Sequence, residues 1–431
     1  MMIRRTCRLF FGLIIPSALL ISCSSTKALR SADKDLFAEK VLQTAHTGIA
    51  VYDVAAGRFV YDHQGDKYFV PASNTKIPTC YAAMKYLGDS ITAFKYNIRG
   101  KDTIVISGTG APDLLHPDFA QQDAFTFLKR FPNVYLSTQL YDEPLGSGWA
   151  WSDYKEYYMA RRSELPLYGN IVKFKWVNAS SVTAEPSFFS RETVIQASSL
   201  KNGFELNKPF DQNTFLFIDG TNKSAEVPFN PDINTITDLL KDTLKANVIL
   251  GVLQGGSSRF KSRPLDDVLK PMMHRSDNFF AEQMLLMVSQ EKLGVMNDGK
   301  IIDTLLKTDF ASLPQKPRWA DGSGLSRYNL FSPKDFVFIL DKMQKEFGMD
   351  RIKKIFPTGG KGTLNNYYLE ESGQLFAKTG TLSGVVAISG FVYSKKGKLL
   401  IFSALVNNHN GAAADVRHAV ERFIRKVREQ Q

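Results

Sequence analysis

Ser73 and Lys76 stand three positions apart in Ser73-Asn74-Thr75-Lys76. A serine hydroxyl is a weak nucleophile until a base lies within hydrogen-bond reach. On a helix, positions i and i+3 share a face with Cβ atoms about 5–6 Å apart, so this spacing delivers an amine to the hydroxyl. A lysine is a base only when neutral, and burial or a second nearby cation drives it toward that state. Lys378 is the candidate second cation. In Ser276-Asp277-Asn278, an extended backbone turns Ser276 and Asn278 the same way. Ser276 then offers a hydroxyl for proton relay, and Asn278 an amide to hold a peptide carbonyl or the lysine itself. In Lys378-Thr379-Gly380-Thr381, the ammonium and the hydroxyls of Thr379 and Thr381 suit a terminal carboxylate. Gly380 lets a substrate backbone come close. The N–H groups of Ser73 and Thr381 are candidates for an oxyanion hole, which is worth roughly 3–4 kcal/mol per donor in known cases. Each motif alone arises by chance, and Ser73 or Asn278 alone would serve equally as a helix cap. The three in this order point to acyl transfer through a serine nucleophile and a lysine base.

These residues need elements to hold them. Ile49–Tyr52 and Arg58–Tyr61 flank a turn at Ala55-Ala56-Gly57 and predict a hairpin. A helix is expected from Ser73, with Ile77, Tyr81, Met84 and Leu87 as one apolar stripe. Pro78 falls within about its first turn, where a missing N–H is tolerated. Residues 100–249 hold short β-rich runs among many turn residues and read as an inserted, mainly β domain. Helical patterns resume at 235–250, at 264–273 and after Asn278. Gly384–Tyr393 and Leu399–Val406 predict strands joined through Lys395-Lys396-Gly397-Lys398. A last helix carries Val416, Val420, Phe423 and Val427 on one face. The core is therefore split, 35–99 with 250–427. Its class is α/β (α+β), a sheet with helices packed on it.

The chain resembles the class C low-molecular-mass penicillin-binding proteins, the D-alanyl-D-alanine carboxypeptidase/endopeptidases. Beyond the trio, Asp321-Gly322-Ser323-Gly324-Leu325-Ser326-Arg327 looks like that family's signature, and Gly362-Thr363-Leu364 fits as well. Gly148-Trp149-Ala150-Trp151-Ser152-Asp153 resembles a segment of its inserted domain. Gly108-Thr109-Gly110-Ala111-Pro112-Asp113 does so imperfectly, with Ala111 where the family has aspartate. The 203 positions between Ser73 and Ser276 match the large insertion that marks this group. The resemblance implies a penicillin-binding-protein/β-lactamase-like fold. It casts Ser73 as nucleophile, Lys76 as its base, Ser276 and Asn278 as the second element, and Lys378 with Thr379 as the third. Asp153, Tyr158 and Arg327 match positions lining a pocket for the stem-peptide side chain. The implied reaction is attack on the bond between two D-alanines, or on a D-configured cross-link in peptidoglycan, then hydrolysis of the acyl-enzyme. It calls for no metal or organic cofactor. Penicillins would acylate the same serine.

The N-terminus carries Arg4, Arg5 and Arg8, an apolar run from Leu9 to Ile21, and Ser22 before Cys23. This is the pattern of a secretory signal, residues 1–22. Leu20-Ile21-Ser22-Cys23 resembles a bacterial lipobox, which implies lipidation at Cys23, a lipid anchor in a membrane and a periplasmic or cell-envelope location. Removing that segment takes away three arginines and no acids, so the net charge falls from +11 to +8. For an exported protein this surface suits anionic wall or lipid headgroups rather than nucleic acid. Cys80 is left without a disulfide partner at an apolar helix position and reads as a core residue. The six histidines show no HExxH pattern, so no zinc site is signalled. Two rival functions remain. One is a serine β-lactamase, to which Tyr168-Gly169-Asn170 lends some support. The other is a catalytically silent wall-binding relative.

Overall fold

The computed structural model of the chain describes residues 32–431 apart from 139–140, 142, 179–180, 197–204, 219–223 and 254–256. The signal segment and Cys23 lie outside the described residues.

The main sheet is fully antiparallel, in the order Leu375–Leu382, Val385–Tyr393, Leu399–Asn407, His46–Asp53, Arg58–His63. The two expected hairpins meet in its middle, with His46 opposite Asn407 and Asp53 opposite Leu400. The two ends of the chain are thus stitched into one sheet. Val385–Tyr393 is buried at every position but its last, because helices cover both faces of the sheet. On one face lies Ala413–Gln430, whose Val416, Val420, Phe423 and Val427 pack with Val386, Ile388, Phe402 and Ala404. On the other lie Lys76–Tyr86, Leu265–His274, Asn278–Leu293 and Pro333–Phe347, sharing one apolar core with Phe391 and Leu405. Asn278–Leu293 is buried from Phe279 to Gln290, the signature of a helix enclosed on all sides.

A second layer extends beyond the expected limits of 100–249. Its five-stranded sheet runs Asn247–Leu250, Asn133–Ser137, Thr103–Gly108, Ser90–Arg99, Ser258–Pro264. The helix read across 235–250 stops at Leu244: Lys245 turns left-handed, and Asn247–Leu250 is a strand parallel to Asn133–Leu136. The alternation of that short segment was hidden behind the strong stripe of the helix before it. Two three-stranded sheets complete the layer, and Phe174, Phe189, Phe215, Phe217 and Phe229 fill its core.

Candidate active site

Ser73 lies in a short 3₁₀ turn, Ala72–Thr75, and Lys76 opens the α-helix that follows. The tighter turn still brings the two side chains together: Lys76 Nζ is 2.9 Å from Ser73 Oγ. The turn is docked from two sides. Gly324 sits so close that a Cβ there would stand 1.9 Å from the Ala72 carbonyl oxygen, and its φ of +82° favours glycine independently. Gly380 faces the other side, where a Cβ would lie 2.9 Å from the Ser73 nitrogen. That closeness places the Lys378 strand, an edge strand of the sheet, alongside the Ser73 N–H. Asn74 ties the two together: with its amide nitrogen turned to the Lys378 carbonyl it donates at 2.6 Å, and its oxygen accepts from Ser389 at 3.0 Å.

The second motif is not the extended stretch expected. Ser276 is left-handed, with φ 65°, and the helix begins at Asn278, capped by Asp277 Oδ1 accepting from the Phe280 N–H at 2.9 Å. An aspartate between two polar residues is a strong helix start, and this overrides alternation. The strained Ser276 conformation still directs its hydroxyl inward, where Lys378 Nζ donates to it at 2.8 Å.

Lys76 and Lys378 are both fully buried, at 0% exposure. Lys76 Nζ has three partners: Ser73 Oγ, Asn278 Oδ1 at 2.7 Å and the Ser323 carbonyl at 2.7 Å. Asn278 is held in this orientation because its nitrogen donates to the Tyr158 carbonyl at 3.0 Å. Burial lowers Lys76 from the ordinary lysine value to about 8, while Asp321, Asp277 and Glu282 pull it back up. Burial also holds Lys378 well below its ordinary value, and repulsion from Lys76 adds to this. Burial thus outweighs the second cation that the sequence suggested as the cause for Lys76.

A carboxylate network backs the pair. Asp321 accepts from the N–H groups of Gly324 and Ser326, from Asn329 and from Trp149 Nε1, fixing the loop that presents the Ser323 carbonyl. Glu282, one turn beyond Asn278, accepts from the Ser323 N–H at 2.8 Å and faces Arg162, which also pairs with Asp298. Burial, then the Asp321 charge, raises the Glu282 carboxyl above the usual range.

Above the lysines opens a cavity of about 640 Å³, lined by Ser73, Ser276, Asn278, Thr379, Gly380 and Thr381. Asp153, Tyr158 and Arg327 line it too. The Tyr158 hydroxyl donates to Asp153 Oδ2 at 3.0 Å, and Arg327 donates to the Ser383 carbonyl at 2.9 Å. Burial, then Asp153, pushes the Tyr158 phenol up to about 12. Thr379 meets Thr363 at 2.7 Å.

Sequence reasoning did not find the Ser323 carbonyl or Glu282. Glu282 had a legible signal, being four positions from Asn278 on one helix face. Tyr168-Gly169-Asn170 is structural: Asn170 is buried and spends its amide on Arg161, Ser163 and Leu167. It gives no support to the β-lactamase reading.

The sequence profile of the D-Ala-D-Ala carboxypeptidase 3 (S13) family matches residues 30–427. The D-alanyl-D-alanine carboxypeptidase of Actinomadura sp. is 26% identical, over 89% of this chain and 82% of that protein. The crystal structure of penicillin binding protein 4 from Haemophilus influenzae superposes with a TM-score of 0.73 at 20% identity, covering 91% of this chain and 98% of that one. The same protein complexed with a β-lactam gives 0.69 at 18% identity, covering 93% and 98%. Those two likenesses carry the fold, the penicillin-binding-protein/β-lactamase-like architecture. The chain belongs to the D-Ala-D-Ala carboxypeptidase 3 (S13) family and is a serine-type D-Ala-D-Ala carboxypeptidase.

Proposed function

We propose that Ser73 is the nucleophile of this activity and Lys76 its general base, acting on peptidoglycan stem peptides. The observation that carries the assignment is the three-way coordination of Lys76 Nζ. Two of its partners, the Asn278 amide oxygen and the Ser323 carbonyl, can only accept. A neutral amine has two N–H groups, and these go to the two acceptors. Its lone pair is then left pointing at the Ser73 hydroxyl, in position to take the proton as Ser73 Oγ attacks the substrate carbonyl. The Ser73 and Thr381 N–H groups flank the site where the carbonyl oxygen becomes an oxyanion. Lys378, bonded to Ser276, makes Ser276 the relay that returns a proton to the departing amine. Water then hydrolyses the Ser73 ester. Asp153, Tyr158 and Arg327 line the cavity and suit the polar end of the stem-peptide side chain. A β-lactam fits the same attack as an acylating inhibitor, and the β-lactam complex of the Haemophilus influenzae protein supports this.

The test is covalent labelling with a fluorescent penicillin, wild type beside Ser73→Ala, with D-alanine release from a pentapeptide ending in D-Ala-D-Ala. Label that vanishes in the variant, with D-alanine released by the wild type, upholds the assignment. Equal labelling of the variant overturns it. Rapid turnover of a chromogenic cephalosporin would favour the β-lactamase alternative.

The basic start, the apolar run and the Leu20-Ile21-Ser22-Cys23 sequence support export and lipid anchoring at Cys23 in the cell envelope. Among the described residues no helix is long and apolar enough to cross a membrane. Metabolic labelling with an alkyne fatty acid, lost in Cys23→Ser, is the expected result. Labelling that persists overturns the anchor.

A further inference from the structure

We infer that Arg417, on the first turns of the C-terminal helix, is the cation that receives the substrate's terminal carboxylate and thereby selects free-acid over amidated peptides. The proposal rests on the acyl-transfer reading of the cleft. Nothing in the three motifs points to this residue, which lies 36 positions beyond Thr381 and on the opposite face of the sheet from Ser73.

Three observations carry it. First, Arg417 Nη2 donates to Thr381 Oγ1 at 2.8 Å, and Thr381 lines the cleft. Thr379 and Thr381 alternate with Lys378 and Gly380 along the strand, so their two hydroxyls share a face. Second, a guanidinium can only donate, so Thr381 Oγ1 is the acceptor in that bond. Its own proton is left to donate to an incoming oxygen, which sets the hydroxyl for an acceptor rather than a cationic group. Third, Arg417 is half-buried and stands over the Tyr367 ring at 5.8 Å, yet among the described residues no carboxylate pairs with it. Two other arginines of this helix are paired, Arg422 with Glu39 and Arg425 with Glu371 and Glu421, while Arg428 donates to the Tyr393 carbonyl at the far end of the helix. An aromatic ring and one hydroxyl hold the guanidinium in place without neutralising it. The remaining N–H groups of its planar fork match a carboxylate.

The reaction supplies such an anion. The residue whose nitrogen leaves from the acyl carbon is D-alanine, and its carboxylate sits one carbon from that nitrogen. With the scissile carbonyl over Ser73 and between the Ser73 and Thr381 N–H groups, the next residue runs along the strand edge toward the Thr379 and Thr381 hydroxyls. Lys378 cannot supply the charge there, because it is buried beneath the strand and bonded to Ser276.

The experiment compares kcat/KM for a peptide ending in D-Ala-D-Ala with the same peptide ending in D-Ala-D-alaninamide, in wild type, Arg417→Gln and Arg417→Lys. A charge-assisted contact of this kind is worth roughly ten- to a hundredfold. The expected result is that Arg417→Gln loses that factor on the acid and changes little on the amide, so the acid/amide ratio collapses. Arg417→Lys should restore part of it. An unchanged ratio in Arg417→Gln overturns the inference, and so does an equal loss on both peptides, which would mark a structural role. Penicillin labelling of Ser73 in the same preparations separates the two levels. Failure of the ratio test with Ser73-dependent labelling intact leaves the catalytic reading standing, whereas label that survives Ser73→Ala removes that reading.

Discussion

The buried amine of Lys76 makes the rate of acylation a direct readout of its proton. At the ordinary lysine value, about 3 molecules in 10,000 would be neutral at pH 7; at about 8, about one in ten is. Burial thus raises the supply of base roughly 300-fold at pH 7, equivalent to about 3 kcal/mol. The second-order rate of acylation by penicillin should therefore rise about tenfold per pH unit below pH 7 and level off above pH 8. A free lysine would keep climbing to pH 10. Glu282 supplies the perturbation. It reaches Lys76 through the backbone of one residue, accepting from the Ser323 N–H while Lys76 donates to the Ser323 carbonyl. Across roughly 6–8 Å at an effective dielectric constant near 20, one charge is worth about 2–3 kcal/mol, an upper bound of about two pH units. Removing that negative charge disfavours the ammonium, so the pKa of Lys76 falls further. Glu282→Gln should move the midpoint of the profile to lower pH by about one unit and raise the relative rate between about pH 7 and 8, where the wild-type carboxyl, raised to about 7, still carries its charge. The assay is stopped-flow acylation with fluorescent penicillin from pH 5.5 to 9.5, both proteins held at one ionic strength. A wild-type midpoint near 10, or a midpoint that moves upward in Glu282→Gln, refutes the reasoning. A uniform drop in rate with no shift would mean that Glu282 only supports the Ser323 loop.

Three further outcomes follow from the same geometry. Asn278→Ala removes the acceptor that orients Lys76 and leaves the Tyr158 carbonyl without its donor, so acylation should fall by about a hundredfold with modest loss of stability, read by labelling rate and thermal melt. Gly324→Ala would drive a methyl to 1.9 Å from a backbone oxygen at a positive φ, and should cost roughly 3 kcal/mol or more, seen as a lower midpoint in urea together with lost acylation. Cys80 is fully buried, and burial pushes its thiol up, so a thiol reagent should leave the native protein unmodified and react in step with unfolding.

The chemistry of this protein is carried by local sequence, and so it was legible there. Ser73 and Lys76 are three residues apart, and a 3₁₀ or an α turn places them together equally well. The hairpins at both ends of the chain were legible too, because strong alternation and a short turn fix a two-stranded unit without help from elsewhere. The mixed α/β class and the S13 family membership followed from these pieces and from the long gap between the first two motifs. The tertiary structure decided everything that depends on residues far apart. The strand read as helix near 247 exists because Asn133–Leu136 is there to pair with it. Asp277 made Ser276 and Asn278 a capped helix start rather than an extended pair, yet the two side chains still meet Lys378 and Lys76. The basicity of Lys76 comes chiefly from its complete burial under the Asp321–Gly324 loop and the Asn278 helix, and no spacing in the sequence encodes that desolvation. Arg417 reaches Thr381 only because the C-terminal helix packs on one face of the sheet, beside the edge strand that carries Thr381. Burial and long-range charge are properties of the assembled chain, and the motifs alone could name the reacting groups but not their proton affinities.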